Sequence, residues 1–78
     1  MEKLIATIPR NQLDELRVEI GEYRGHDFIS IRTWTERHDS EEMVPTKKGI
    51  TVKPERLPEL ITALQKAEKE ARAGGLFK

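Results

Sequence analysis

Cysteine is absent from this 78-residue sequence, so no disulfide braces the chain and no thiolate site can hold a metal. Aromatic residues are scarce, at Tyr23, Phe28, Trp34 and Phe77 only. No apolar run is long enough to cross a bilayer, and "MEKLIATIPR" lacks a signal-peptide pattern. The expectation is therefore an intracellular chain without membrane contact, in cytoplasm or nucleoid rather than nucleus. Net charge is lacking too: fourteen basic and fourteen acidic residues cancel, so the total neither favours nor excludes nucleic acid. What remains is one small domain with 36% apolar residues. Ordering costs roughly 1.5 kcal/mol per residue, which nearly cancels the burial such a chain achieves alone. Self-association is the simplest way to gain area, and a homodimer is expected.

Charge distribution is more informative than charge total. Glu36, Asp39, Glu41 and Glu42 crowd one segment, whereas Lys47, Lys48, Lys53 and Arg56 are opposed only by Glu55. A neutral chain can thus present a basic groove on one side. Ordinary solvated charge is the competing reading.

The pattern along the chain predicts four strands and then one helix, an α+β fold in a single domain. "KLIATIP" is β-branched and ends at Pro9, which suits a first edge strand within residues 1–10. The remaining strands fall within 15–53. "LRVEIGEYR" alternates, with Leu16, Val18 and Ile20 on one face and Arg17, Glu19, Gly21 and Tyr23 on the other. Arg24-Gly25-His26 reads as a tight hairpin into "DFISIRTWT". "ERHDSEE" reads as a loop, and "MVPTKKGITVKP" as an irregular passage with a last strand at Ile50 to Val52. Residues 54–73 change period: Leu57, Leu60, Ile61 and Leu64 recur as a helical stripe, the candidate dimer or core helix. Pro58 requires either a helix starting near it or an irregular first turn. Gly74 and Gly75 supply the stop before a tail, 74–78, whose Leu76 and Phe77 have three open fates: docking on the body, docking on a partner, or fraying.

Residues 28 to 34 put Ile29, Ile31 and Thr33 on one strand face and Phe28, Ser30, Arg32 and Trp34 on the other. A lone helix covers one side of a sheet, and Val18, Ile20, Ile29 and Ile31 form the natural floor for its stripe. Tyr23, Phe28, Arg32 and Trp34 then lie on the side with no helix. Aromatics beside arginine suit single-stranded nucleic acid, because bases stack on rings and guanidinium groups pair with phosphates. Lys47 and Lys48, beside Gly49, add mobile cations. The alternative is that Phe28 and Trp34 form a second small core or a dimer seam.

"YRGHDFISIRTWT", the acidic loop, "KKGITVKPERLPEL" and the terminal helix together resemble the C-terminal domain of the transcriptional positive cofactor 4 family of coactivators, most closely its small stand-alone bacterial-type members. The resemblance spans about Leu16 to Ala71. It implies a curved four-stranded antiparallel sheet followed by a helix, dimerising so that two channels accept single-stranded DNA with little sequence preference, in transcription or in replication and repair. Position by position it implies that Tyr23 is the stacking aromatic at the hairpin and Arg24 its following basic residue. His26 stands where a lysine is common and is the weaker cation at neutral pH. Arg32 matches the strand arginine, Trp34 the nearby tryptophan and Lys48 the lysine before glycine. The family's tryptophan comes one residue later, so the placement of Trp34 depends on a bulge or register shift. The serine-rich arm of the eukaryotic coactivators has no counterpart here, and phosphorylation control is not implied.

Enzyme chemistry is not expected. His26 and His38 have no cysteine partner, the His38-Asp39 pair in its loop reads as a solvated turn rather than a metal site, no nucleophile elbow or phosphate loop is present, and no cofactor is called for. Asp39, Glu41 and Glu42 lack the loop pattern of a calcium site. The alternative functions are a homodimeric protein-interaction module of the transcription machinery, engaging a transcription or repair protein through Phe28 and Trp34, and RNA binding.

Overall fold

A computed structural model describes residues 1–77 of the chain. The observed order is β1 (Lys3–Pro9), β2 (Asp14–Tyr23), β3 (His26–Glu36), β4 (Met43–Val52), a 3-10 turn (Pro54–Arg56) and α1 (Leu57–Ala73). Each strand pairs antiparallel with the next, giving one open sheet in the order β1-β2-β3-β4. This is the α+β architecture that the alternation and the change of period predict.

The β2–β3 pairing is unbroken from Asp14↔Thr35 to Tyr23↔His26, leaving Arg24-Gly25 as a two-residue loop. Both loop residues have positive φ, 51° and 79°, as a type I′ turn requires; its twist matches that of the flanking strands. Asn11 shapes the β1–β2 connection, its Oδ1 accepting from the N–H groups of Leu13 (3.0 Å) and Asp14 (2.9 Å).

The fourth strand departs from expectation. It runs from Met43 to Val52 rather than from Ile50 to Val52. Pro45, read as a sign of irregularity, is tolerated because β4 is an edge strand. The irregularity is confined to a bulge. Arg32 pairs with Gly49 and Trp34 with Pro45, so Thr46, Lys47 and Lys48 stand opposite Thr33 alone. Two extra residues preserve the alternation of faces. Side chains hold the bulge: Thr46 Oγ1 donates to the Thr33 carbonyl (2.8 Å), the Lys48 N–H donates to Thr46 Oγ1 (3.2 Å), and Arg32 Nη1 donates to the Thr46 carbonyl (2.9 Å). A second register shift, between Leu4 and Ala6, bends the opposite edge.

Both readings of Pro58 hold at once. A 3-10 turn precedes α1, and Pro58 falls in the first helical turn, where its missing N–H has no intrahelical partner to lose. At the other end the Gly75 and Leu76 N–H groups donate to the carbonyls of Arg72 (3.2 Å) and Ala71 (2.9 Å), a paired C-terminal stop. Phe77 folds back under the Arg72 guanidinium, 4.2 Å from its ring centroid, so the tail docks on the helix end rather than on the sheet. Lys78 lies outside the described residues.

The helix does not lie on the isoleucine floor. Leu57 and Leu60 are half-buried, but every residue from 61 to 70 is exposed, Ile61 at 46% and Leu64 at 58%. Among the described residues only Ile29 and Thr33 are buried. The expectation that Val18, Ile20, Ile29 and Ile31 receive the whole stripe within one chain therefore fails. The shape, 41 × 34 × 18 Å, is that of a slab. An interior needs two layers, and a helix touching the sheet only at its root does not provide the second.

Candidate nucleic-acid interface

The face of the sheet opposite the isoleucines holds a groove of about 700 Å³, to which α1 contributes no lining residue. Its walls include Glu19, Gly21, Tyr23, Phe28, Ser30, Arg32, Trp34, Pro45 and Thr51, and Glu2 and Lys3 close one side. Strand register sorts this floor into rows: Gly21 beside Phe28; Glu19, Ser30 and Thr51; Arg17, Arg32 and Gly49; Glu15, Trp34 and Pro45. Successive rows are two residues apart, about 7 Å along the strand. Trp34 follows Arg32 by two residues on the unbroken β3, so alternation alone puts the indole on the groove face, and the β4 bulge brings Pro45 beside it.

The two ring floors differ in construction. Phe28 lies across Gly21 so closely that a Cβ on residue 21 would stand 2.5 Å from Phe28 Cζ. Trp34 carries the Arg17 guanidinium over one ring face, 4.1 Å from the centroid, and Arg17 Nε donates to Glu15. This Glu15–Arg17–Trp34 stack holds the indole firmly, and Trp34 Nε1 is buried without a hydrogen-bond partner among the described residues. One face of that ring is thus already covered.

The residues singled out from the sequence are distributed unevenly. Tyr23, Phe28, Arg32 and Trp34 come together in the groove, with Tyr23 at its rim, 64% exposed. Arg24 extends that rim, its guanidinium 5.2 Å from the Tyr23 ring centroid. His26 closes the hairpin opposite Tyr23 and is exposed, outside the lining. Lys47 and Lys48 ride on the bulge and are likewise not lining residues. Asp14 is held below the usual carboxylate range by the Thr35 hydroxyl first, then by Asn11 and the charges of Arg10 and Lys48. Leu57, Leu60, Ile61 and Leu64, on α1, do not line the groove. Arg17, Glu19 and Ser30 were not among the candidates, although the period-two alternation of β2 and β3 already assigns all three to the groove face. No group of three His, Asp or Glu side chains that could hold a metal occurs among the described residues.

With this geometry in place, comparison with known proteins gives a consistent result. Residues 11–63 match the family described as Transcriptional Coactivator p15 (PC4). Comparison with curated proteins yields no significant match. Among solved structures, a PC4 homolog from Burkholderia pseudomallei is similar in its orthorhombic crystal form, at 30% identity over 88% of this chain and 92% of that one, with TM-score 0.81. Its tetragonal form gives 28% identity, 87% and 98% coverage, and TM-score 0.80. A bacteriophage T5 homolog of the eukaryotic coactivator PC4, described as implicated in recombination-dependent DNA replication, shares the fold at 24% identity, covering 99% of this chain and 97% of its own, with TM-score 0.72.

Proposed function

The chain belongs to the Transcriptional Coactivator p15 (PC4) family, and from that premise we propose that it binds single-stranded DNA with little overall sequence demand, as a homodimer. The observation that carries this reading is the groove itself: Tyr23, Phe28 and Trp34 beside Arg32, on a sheet face that no helix lines. Unpaired bases stack on rings for about 1–3 kcal/mol each, and duplex DNA cannot offer those ring faces. Phosphates follow the cations: Arg32 from the floor, Arg24 from the rim, and Lys47 and Lys48 from the bulge beyond. His26 adds charge only when protonated. Arg32 has a double duty, because the Nη1 that ties down Thr46 also positions the lysine-bearing bulge. The biological setting is transcription regulation or DNA replication and repair; the phage T5 protein is described as implicated in recombination-dependent DNA replication.

Dimerisation follows from what one chain leaves uncovered. Ile8 and Ile50 on the isoleucine face and Ile61 and Leu64 on α1 are exposed, and a second copy supplies the missing layer.

The test is competition among single-stranded DNA, duplex DNA and RNA of equal length at two salt concentrations. The single strand is expected to win over duplex, with log affinity falling by about 0.7 per neutralised phosphate against log salt. Arg32→Ala and Lys48→Ala should both weaken binding. RNA outcompeting DNA would reassign the ligand. No mobility shift and unchanged Trp34 emission at low salt would overturn the reading.

A further inference from the structure

The groove that should attract phosphate keeps a carboxylate in the middle of its floor. Glu19 lies between the Phe28 row and the Arg32 row, with Ser30 opposite on β3 and Thr51 beyond it on β4. The other carboxylates on β2 are occupied: Asp14 accepts from Asn11 Nδ2, Glu15 pairs with Arg17, and Glu22 with the terminal ammonium group. Glu19 alone among these makes no hydrogen bond or ion pair among the described residues. Its nearest cationic row is engaged elsewhere, since Arg17 holds Glu15 and Trp34, and Arg32 Nη1 holds the Thr46 carbonyl. Lys3 lines the same groove without forming an ion pair with it.

A half-buried carboxylate at this place repels phosphate, so the strand must cross this row with a base. The base it favours is one that donates. Thymine offers a single N–H between two carbonyl oxygens, which face the carboxylate unfavourably. Cytosine and adenine each offer an amine beside a ring-nitrogen acceptor. Guanine offers N1–H next to its N2 amine, two adjacent donors that match two carboxylate oxygens. Resting on the single-strand reading above, we propose that Glu19 makes this groove select guanine over thymine on the Glu19–Ser30–Thr51 row. The hydroxyls of Ser30 and Thr51 complete the row as donors to the carbonyl oxygen or ring nitrogens of the same base. The selectivity has an attractive part, a carboxylate accepting twice, and a repulsive part, the same charge against a thymine carbonyl.

The experiment measures fluorescence anisotropy with three end-labelled oligonucleotides of equal length: all dT, dT with isolated dG positions, and the same with deoxyinosine, which keeps N1–H but lacks the 2-amine. The native protein should bind the dG strand about tenfold more tightly than all dT, as expected for one bidentate contact to a base, with deoxyinosine between the two. Glu19→Gln should abolish this preference and, by removing a negative charge from a phosphate-binding face, tighten binding of all dT. Circular dichroism checks that the variant folds, and Glu19→Ala serves as the second variant. Binding of dT and dG strands within twofold, or a preference that survives both substitutions, overturns the inference while leaving single-strand binding intact. Binding of none of the three strands overturns the underlying reading as well.

Discussion

Phe28 lies where it does because residue 21 has no Cβ. The approach of 2.5 Å to Phe28 Cζ is shorter than any real carbon–carbon contact, so Gly21→Ala must lift the ring from the floor. The expected outcome is a folded protein destabilised by about 1–3 kcal/mol in urea titration, the usual range for overpacking. Its affinity for single-stranded DNA should fall several-fold in anisotropy titration. Unchanged binding would mean that Phe28 does not serve as a stacking surface. The sequence shows a glycine facing a phenylalanine only when β2 and β3 are set in register, so the signal was there but needed the hairpin to be read. Trp34 is a different case. Its position in the sequence marks it as a stacking ring, whereas the Arg17 guanidinium already occupies one face.

The hairpin is the element in which turn stability and the proposed binding rim share a residue. Arg24 adopts a left-handed backbone conformation, which asparagine tolerates better than arginine does. Arg24→Asn should keep or raise the urea midpoint, with a gain of about 0.5 kcal/mol. It should also flatten the salt dependence of DNA binding by about 0.7 in log–log slope, the share of a single neutralised phosphate. A fall in stability would place the Arg24 side chain, rather than its backbone, at the centre of the turn. This hairpin was legible because Arg24-Gly25 is short and flanked by alternating strands. The fourth strand was not, because Pro45, two lysines and a glycine resemble a loop. The strand register shows that they form a bulge within a continuous strand, held by the side-chain bonds of Thr46 and Arg32.

Taken whole, the chain is a slab with a wet groove on one side and an uncovered apolar surface on the other. No helix among the described residues is long and apolar enough to cross a membrane. If a second copy covers the apolar surface, sedimentation should report about twice the 9.0 kDa monomer mass. Leu64→Lys places a charge on the 58%-exposed helical stripe. It should shift the protein to monomer and lower its thermal stability, because dimer and fold then share one interface. A native chain that sediments as a stable monomer at micromolar concentration would contradict the dimer.

Order and alternation by themselves determined the strand count, the terminal helix and the division of β2 and β3 into an isoleucine face and an aromatic–arginine face. These features depend on neighbours two to four residues apart, a distance at which backbone geometry alone decides where a side chain points. Tertiary structure decided the rest. It placed Glu19 on the groove floor between an aromatic row and a cationic one, laid Arg17 over Trp34, turned "PTKKG" into a bulge and left the helix off its own sheet. Each of these depends on which strand lies beside which, and in what register. The last also depends on how much apolar area 78 residues can cover without a second chain.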